Sequence, residues 1–154
     1  MNDAMTIEPP SSEGVAEFRR RLSLSEKATL AFEIVAAYVQ ARRLLRRSDL
    51  PDVLRALRGG GAGASNTTPD GNQLLLGIRL GRIVGKTLGA LPADSRCLVR
   101  SLVLTSLLAR RGIGSSLVIG VRSEPSFEAH AWVECGRAPL LPTGDDRYGR
   151  LAEF

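Results

Sequence analysis

Cys97 and His130 are the residues of this chain best suited to nucleophilic chemistry. A thiolate attacks a carbonyl carbon, and an imidazole beside it takes the thiol proton and later returns one to the leaving group. Cys97 stands in SRCLVRSLVLTSLLARR, where an apolar helical run begins, and the only histidine stands in FEAHAWVE. At a helix start the dipole and the unpaired amides favour a thiolate, and those amides can also hold a developing oxyanion. Taken singly, a free cysteine is more often a small buried hydrophobe and a lone histidine a structural one. The pairing points to a site. Strand alternation puts His130, Trp132 and Glu134 on one face and Ala129, Ala131, Val133 and Cys135 on the other. Glu134 is then an acid about 6–7 Å along the strand from His130, able to orient it.

Elements of two kinds must position this pair. The run from Arg96 to Arg111 is apolar on nearly every side, which predicts a helix at the centre of the domain. Asp94 and Ser95 are its natural N-caps and Gly112 its stop. Ser115–Arg122 reads as a strand by its β-branched content. Ser123–Phe127 follows as a turn around Pro125, Glu128–Cys135 as a second strand, Gly136–Arg137 as a tight turn, and Ala138–Leu141 as a short return strand. The tail PTGDDRYGRLAEF is polar, with Tyr148, Leu151 and Phe154 as scattered anchors.

Upstream, residues 1–58 read as a helical N-terminal region behind a disordered tail, Met1–Ser12. A short helix covers Glu13–Arg21. Ser23 with Glu26 three residues on predicts a capped helix reaching Arg47, with Leu30, Ile34, Ala37, Ala41 and Leu44 on one face. Asp49 and Pro51 open a further segment that stops at Gly59. Residues 59–72, rich in Gly, Ser, Thr and Asn, read as a flexible linker, and 73–154 as the core that carries the chemistry. Within Gln73–Leu91 the glycines at 77, 81, 85 and 89 share one helix face. Each costs about 1 kcal/mol, so a close contact, most simply another helix, is expected to compensate.

Composition narrows the function. The chain has 154 residues, enough for one domain with a real core. Its charge is +5, and arginine supplies 19 of 21 basic residues. Aromatics are 5%, too few to interleave the arginines as nucleic-acid readers do. Arginine's planar fork suits carboxylates on a bound peptide equally well. No stretch reaches bilayer-spanning length and no secretion signal opens the chain. Two cysteines without metal-ligand spacing imply neither a disulfide framework nor a metal site, and no cofactor is called for. A cytoplasmic protein with reduced thiols is expected.

The pattern around Cys97 and His130 resembles the leader-peptidase family of lasso-peptide biosynthesis. The shared features are a cysteine opening a helix, LLxRRGI turning into a strand, a GVR ending and an HAW strand, over about Asp94–Phe154. The resemblance implies an α+β fold: a helical N-terminal part, then a transglutaminase-like (papain-like) core with a central helix against a small antiparallel sheet. It implies Cys97 as nucleophile and His130 as general base and acid. In that arrangement the orienting acid follows the hairpin, which favours Asp145, with Glu134 and Asp146 as alternatives. Equally, Asp145 and Asp146 make a plain solvated turn with Gly144. Trp132, on the face of His130, is a candidate substrate contact. The implied partners are the leader region of a precursor peptide, a separate small leader-binding recognition protein and the lasso cyclase, with no nucleic acid and no membrane.

Other classes of function stay open at this point. The same fold without activity would be a peptide-binding module, and the same thiol could transfer its acyl group to an amine. An arginine-driven nucleic-acid or membrane binder would lose affinity steeply with salt and survive Cys97→Ala.

Overall fold

The computed structural model describes residues 9–59, 69–89, 96–144 and 147–154. Five helices precede a four-stranded sheet: α1 Ser12–Arg19, α2 Leu24–Leu45, α3 Leu50–Leu57, α4 Gly71–Gly89 and α5 Arg96–Ala109, then β1 Ser116–Arg122, β2 Glu128–Cys135, β3 Ala138–Pro139 and β4 Gly149–Glu153. The sheet runs β3-β2-β1-β4 with every pair antiparallel. This is the mixed α+β architecture expected.

Local chemistry starts each helix where the sequence marks it. Ser23 accepts from the Glu26 amide at 3.2 Å, and the Glu26 carboxylate accepts from the Ser23 amide at 2.8 Å, closing a capping box. Arg20 locks that carboxylate further, its Nη2 at 2.5 Å. Asp49 caps α3 through the Asp52 amide at 3.2 Å. Asp70 caps α4 through the Gln73 amide at 2.7 Å, so this helix begins at Gly71, inside the stretch expected as linker. Of that linker, 60–68 fall outside the described residues. So do most of the N-terminal tail (1–8) and the expected caps Asp94 and Ser95. Gly112, at φ +69°, ends the α5 turn as expected.

Helix α5 is the hub. Leu102, Val103, Leu104, Leu107 and Leu108 are completely buried, and each such side chain contributes roughly 1.5–3 kcal/mol of transfer free energy. One part of the core joins α5 to Ile34 and Ala37 of α2, to Leu80 and Val84 of α4, and to Val118 and Val133 of the sheet. Another joins Leu102 to Ala41, Leu117 and the α3 residues Val53, Leu54 and Leu57. Helices α2 and α3 thus pack into the core that also holds the cysteine helix.

The sheet departs from expectation at both edges. The return strand is shorter, ending at Pro139, after a turn in which Gly136 and Arg137 both take positive φ. The C-terminal tail contains β4, which pairs with β1 and is pinned by reciprocal 3.0 Å bonds between Leu117 and Phe154. Arg58, just after α3, donates to the Ser115 and Phe154 carbonyls at 3.0 Å each and closes that end. Among the described residues no helix is long and apolar enough to cross a membrane.

Candidate active site

Cys97 is the second residue of α5 and His130 lies in β2; both line one cleft of about 390 Å³. The cleft is walled by Gly81 and Gly85 of α4, by Cys97 and Arg100 of α5, and by the chain after β3, Leu140–Pro142. A cavity of similar size, about 370 Å³, lies among residues of α1, α2 and α4, but its wall holds neither thiol nor imidazole. The two residues singled out for nucleophilic chemistry therefore meet a common space.

His130 is half-buried and held on three sides. Its Nε2 lies 2.8 Å from the Pro142 carbonyl oxygen. A carbonyl only accepts, so in the neutral imidazole Nε2 carries the hydrogen and Nδ1 keeps the lone pair. The Trp132 ring lies stacked with a centroid separation of 6.1 Å, and the Tyr148 ring sits tilted at 5.5 Å. Each ring is anchored in turn. Trp132 donates from Nε1 to Glu134 at 2.7 Å. Tyr148 donates its hydroxyl to Glu128 at 3.1 Å, while Arg122 lies 5.3 Å over its ring and pairs with Glu128 at 2.8 Å. Arg122, then the Ser126 and Tyr148 hydroxyls, hold the Glu128 carboxyl below the usual carboxylate range.

Two glycines make room for this cluster. Gly120 pairs with His130 across the sheet, and a Cβ there would come within 2.8 Å of the Trp132 ring. Gly144, at φ +83°, lies beside both rings: a Cβ on it would sit 2.7 Å from Tyr148 and 3.6 Å from His130 Cδ2. Neither glycine stood out in the sequence, because their role depends on which ring crosses them.

The glycine face of α4 has a specific partner. A Cβ at Gly77 would press on the Leu140 side chain at 3.0 Å, and one at Gly81 would overlap the Leu140 carbonyl oxygen. The close neighbour at these two positions is therefore Leu140, through its side chain at Gly77 and its backbone at Gly81, and not the helix expected. That seat fixes Leu140–Leu141 and, with them, the Pro142 carbonyl that holds His130. Gly85 meets nothing within 4 Å and faces the cleft.

The other expected site residues fall as follows. Trp132, a candidate substrate contact by sequence, is 4% exposed, absent from the described cleft wall and stacked on the histidine ring. Glu134, on the same strand face, is 6% exposed. Its oxygens accept from Trp132 and from Arg150 at 2.9 and 3.0 Å. Among the described residues the one hydrogen bond of His130 is to Pro142. Asp145 and Asp146 lie outside the described residues. Cys135 is fully buried and donates to the Gly114 carbonyl at 3.4 Å; burial and then Asp70 push its thiol up, away from reactivity. Among the described residues no group of three His, Cys, Asp or Glu is placed to hold a metal ion.

A 62-residue stretch is 40% identical to the microcin J25-processing protein McjB of Escherichia coli, covering 39% of this chain and 29% of that protein. The match thus spans under a third of that relative's length. No solved structure gives a significant match. The profile described as the transglutaminase-like superfamily matches residues 28–153, reaching from α2 to the end of β4. The chain, with its cysteine helix packed on an antiparallel sheet that carries the histidine, belongs to the transglutaminase-like superfamily.

Proposed function

We propose that this chain is a cysteine peptidase that removes the leader peptide from a ribosomally made lasso-peptide precursor. The observation that carries the reading is the shared cleft: Cys97 in the first turn of α5, and His130 with Nε2 tied to Pro142 and Nδ1 left as base. The likeness to a protein that processes microcin J25 supplies the substrate class.

In this mechanism Nδ1 of His130 takes the Cys97 proton and the thiolate attacks the scissile carbonyl. The free amides of the first turn of α5 would hold the oxyanion. The imidazolium then protonates the leaving amine, giving a thioester on Cys97. Water, deprotonated by His130, cleaves that thioester and restores the thiol. Asp145 is proposed as the acid that steadies the imidazolium beside the Pro142 carbonyl, since Gly144, the residue before it, abuts the ring. Asp146 and Glu134 are the alternatives; Glu134 would have to leave Trp132 and Arg150 to serve.

The partners proposed are the precursor's leader and a separate small recognition protein that presents it. For the latter, α2 offers an exposed apolar strip of Leu24, Phe32, Val35 and Val39, 83, 74, 50 and 40% accessible. Cytoplasmic chemistry keeps the thiol reduced.

The test is to treat the protein with iodoacetamide, map the adduct to Cys97 by mass spectrometry, and add a lasso-peptide precursor with its recognition protein. Cleavage should vanish with the adduct. Full cleavage by the alkylated protein would end this reading.

A further inference from the structure

Among the described residues, three cations line the cleft that holds Cys97 and His130. Arg82 and Lys86, each one residue after a cleft glycine, line it from α4, and Arg100 lines it from α5. No acidic side chain is among its described lining residues. None of the three cations makes an ion pair with a described residue. Arg82 instead lies 5.6 Å over the Phe18 ring of α1, which positions it without neutralising it. Arg100 carries a second signal: its Nε is buried and has no hydrogen-bond partner among the described residues. A buried guanidinium N–H left unpaired is costly, so a turn of the Arg100 side chain that brings it to an acceptor in the cleft would be favoured. Three like charges in a concave wall also add their potentials at the cleft mouth.

We propose that this cleft recognises a carboxylate of the peptide substrate, an Asp or Glu side chain lying within one or two residues of the scissile bond. Arg100 takes the carboxylate through its planar fork, and Lys86 and Arg82 flank it. The distance follows from the helix: Arg100 stands three residues after Cys97, about 4.5 Å along the axis on the same face. That is close to the rise of one extended peptide residue, roughly 3.3 Å. That the acid belongs to a peptide rests on the peptidase reading; that the cleft prefers an anion does not.

The test has two arms. In the first, Cys97 is alkylated with iodoacetate and, separately, with iodoacetamide, which differ in charge and little in size. The rate ratio is compared among the native protein, Arg82→Gln, Lys86→Gln, Arg100→Gln and Arg100→Lys. Each neutralisation is expected to lower the iodoacetate preference about two- to threefold, as a unit charge at several ångströms in a wet cleft does. Any change in the thiolate fraction of Cys97 alters both rates alike and cancels in the ratio, and the Arg100→Lys ratio should stay near its native value. His130 is common to all variants, so its own charge cancels. Arg82 and Lys86 are exposed, so their variants carry no folding liability. A ratio unmoved by all three neutralisations overturns the proposal.

In the second arm, each acid beside the cleaved bond of a precursor is changed to its amide. The native protein should lose at least about tenfold in kcat/KM at one such position, and Arg100→Gln should lose much less at that same position. Equal losses in both proteins contradict recognition by Arg100. If no precursor is cut by any variant yet the alkylation ratio responds, the peptidase reading fails and the anion preference stands.

Discussion

The Pro142 carbonyl oxygen lies 2.8 Å from His130 Nε2. This bond assigns the tautomer of the chain's single histidine and leaves Nδ1 as the ring atom that can accept a proton, the role the proposed mechanism gives it toward Cys97. Because there is one histidine, its ring ¹⁵N shifts can be assigned without mutagenesis. The neutral form is expected to show a protonated Nε2 and a bare Nδ1. A protonated Nδ1 would contradict the arrangement.

Gly81 and Gly85 are one helical turn apart, yet their alanine variants should behave oppositely. A methyl at Gly81 overlaps the Leu140 carbonyl, which is backbone and yields only if the Leu140–Pro142 run shifts. Gly81→Ala is expected to cost about 1–3 kcal/mol in urea unfolding and to lower kcat by misplacing His130. Gly85 meets nothing within 4 Å, so Gly85→Ala should gain up to about 1 kcal/mol from helix propensity. Equal effects at the two sites would contradict the seating of Leu140 on α4.

Glu134 holds Trp132 and Arg150 rather than the imidazole. Glu134→Ala leaves a buried indole N–H unpaired and removes one of the two carboxylate partners of Arg150, so a loss on the order of 1–3 kcal/mol is expected, with a shift in emission of the sole tryptophan. Glu134→Gln keeps an acceptor for Trp132 and should retain kcat within about tenfold. A thousandfold drop in kcat for Glu134→Gln, with stability kept, would make Glu134 the catalytic acid instead.

The Arg20 side chain, followed by the Ser23 cap, lowers the Glu26 carboxyl to about 2 from an ordinary 4.5. A depressed carboxylate stabilises the fold above its unfolded value and loses that contribution as pH falls toward its folded one. Stability should therefore decline between about pH 4.5 and 2, and Glu26→Gln should flatten that part of the profile. A profile over that range identical in the native protein and Glu26→Gln would contradict the role of the capping box.

The sequence was most legible where a residue type carries its own role. Ser23 and Glu26 announce a capping box, the all-round apolar run after Cys97 announces the central helix, and a cysteine and a histidine announce reactive groups. It was least legible where geometry rather than type decides. Gly149–Glu153 has no strand pattern of its own and becomes β4 because β1 offers an open edge. Pro142 acts through its carbonyl, which every residue has, so nothing marks it as the partner of His130. The glycine face foretold a close contact but not that its occupant is Leu140. Trp132 shares a strand face with His130, yet packing turns it inward to brace the ring.

The most direct measurement is cleavage of a lasso-peptide precursor, presented by its recognition protein, by the native chain and by Cys97→Ala, followed by intact mass. The native chain is expected to release the leader. Cys97→Ala should still bind the precursor while its cleavage rate falls by at least about 10³-fold, as loss of a covalent nucleophile entails. Cleavage by Cys97→Ala within about tenfold of the native rate would contradict the account.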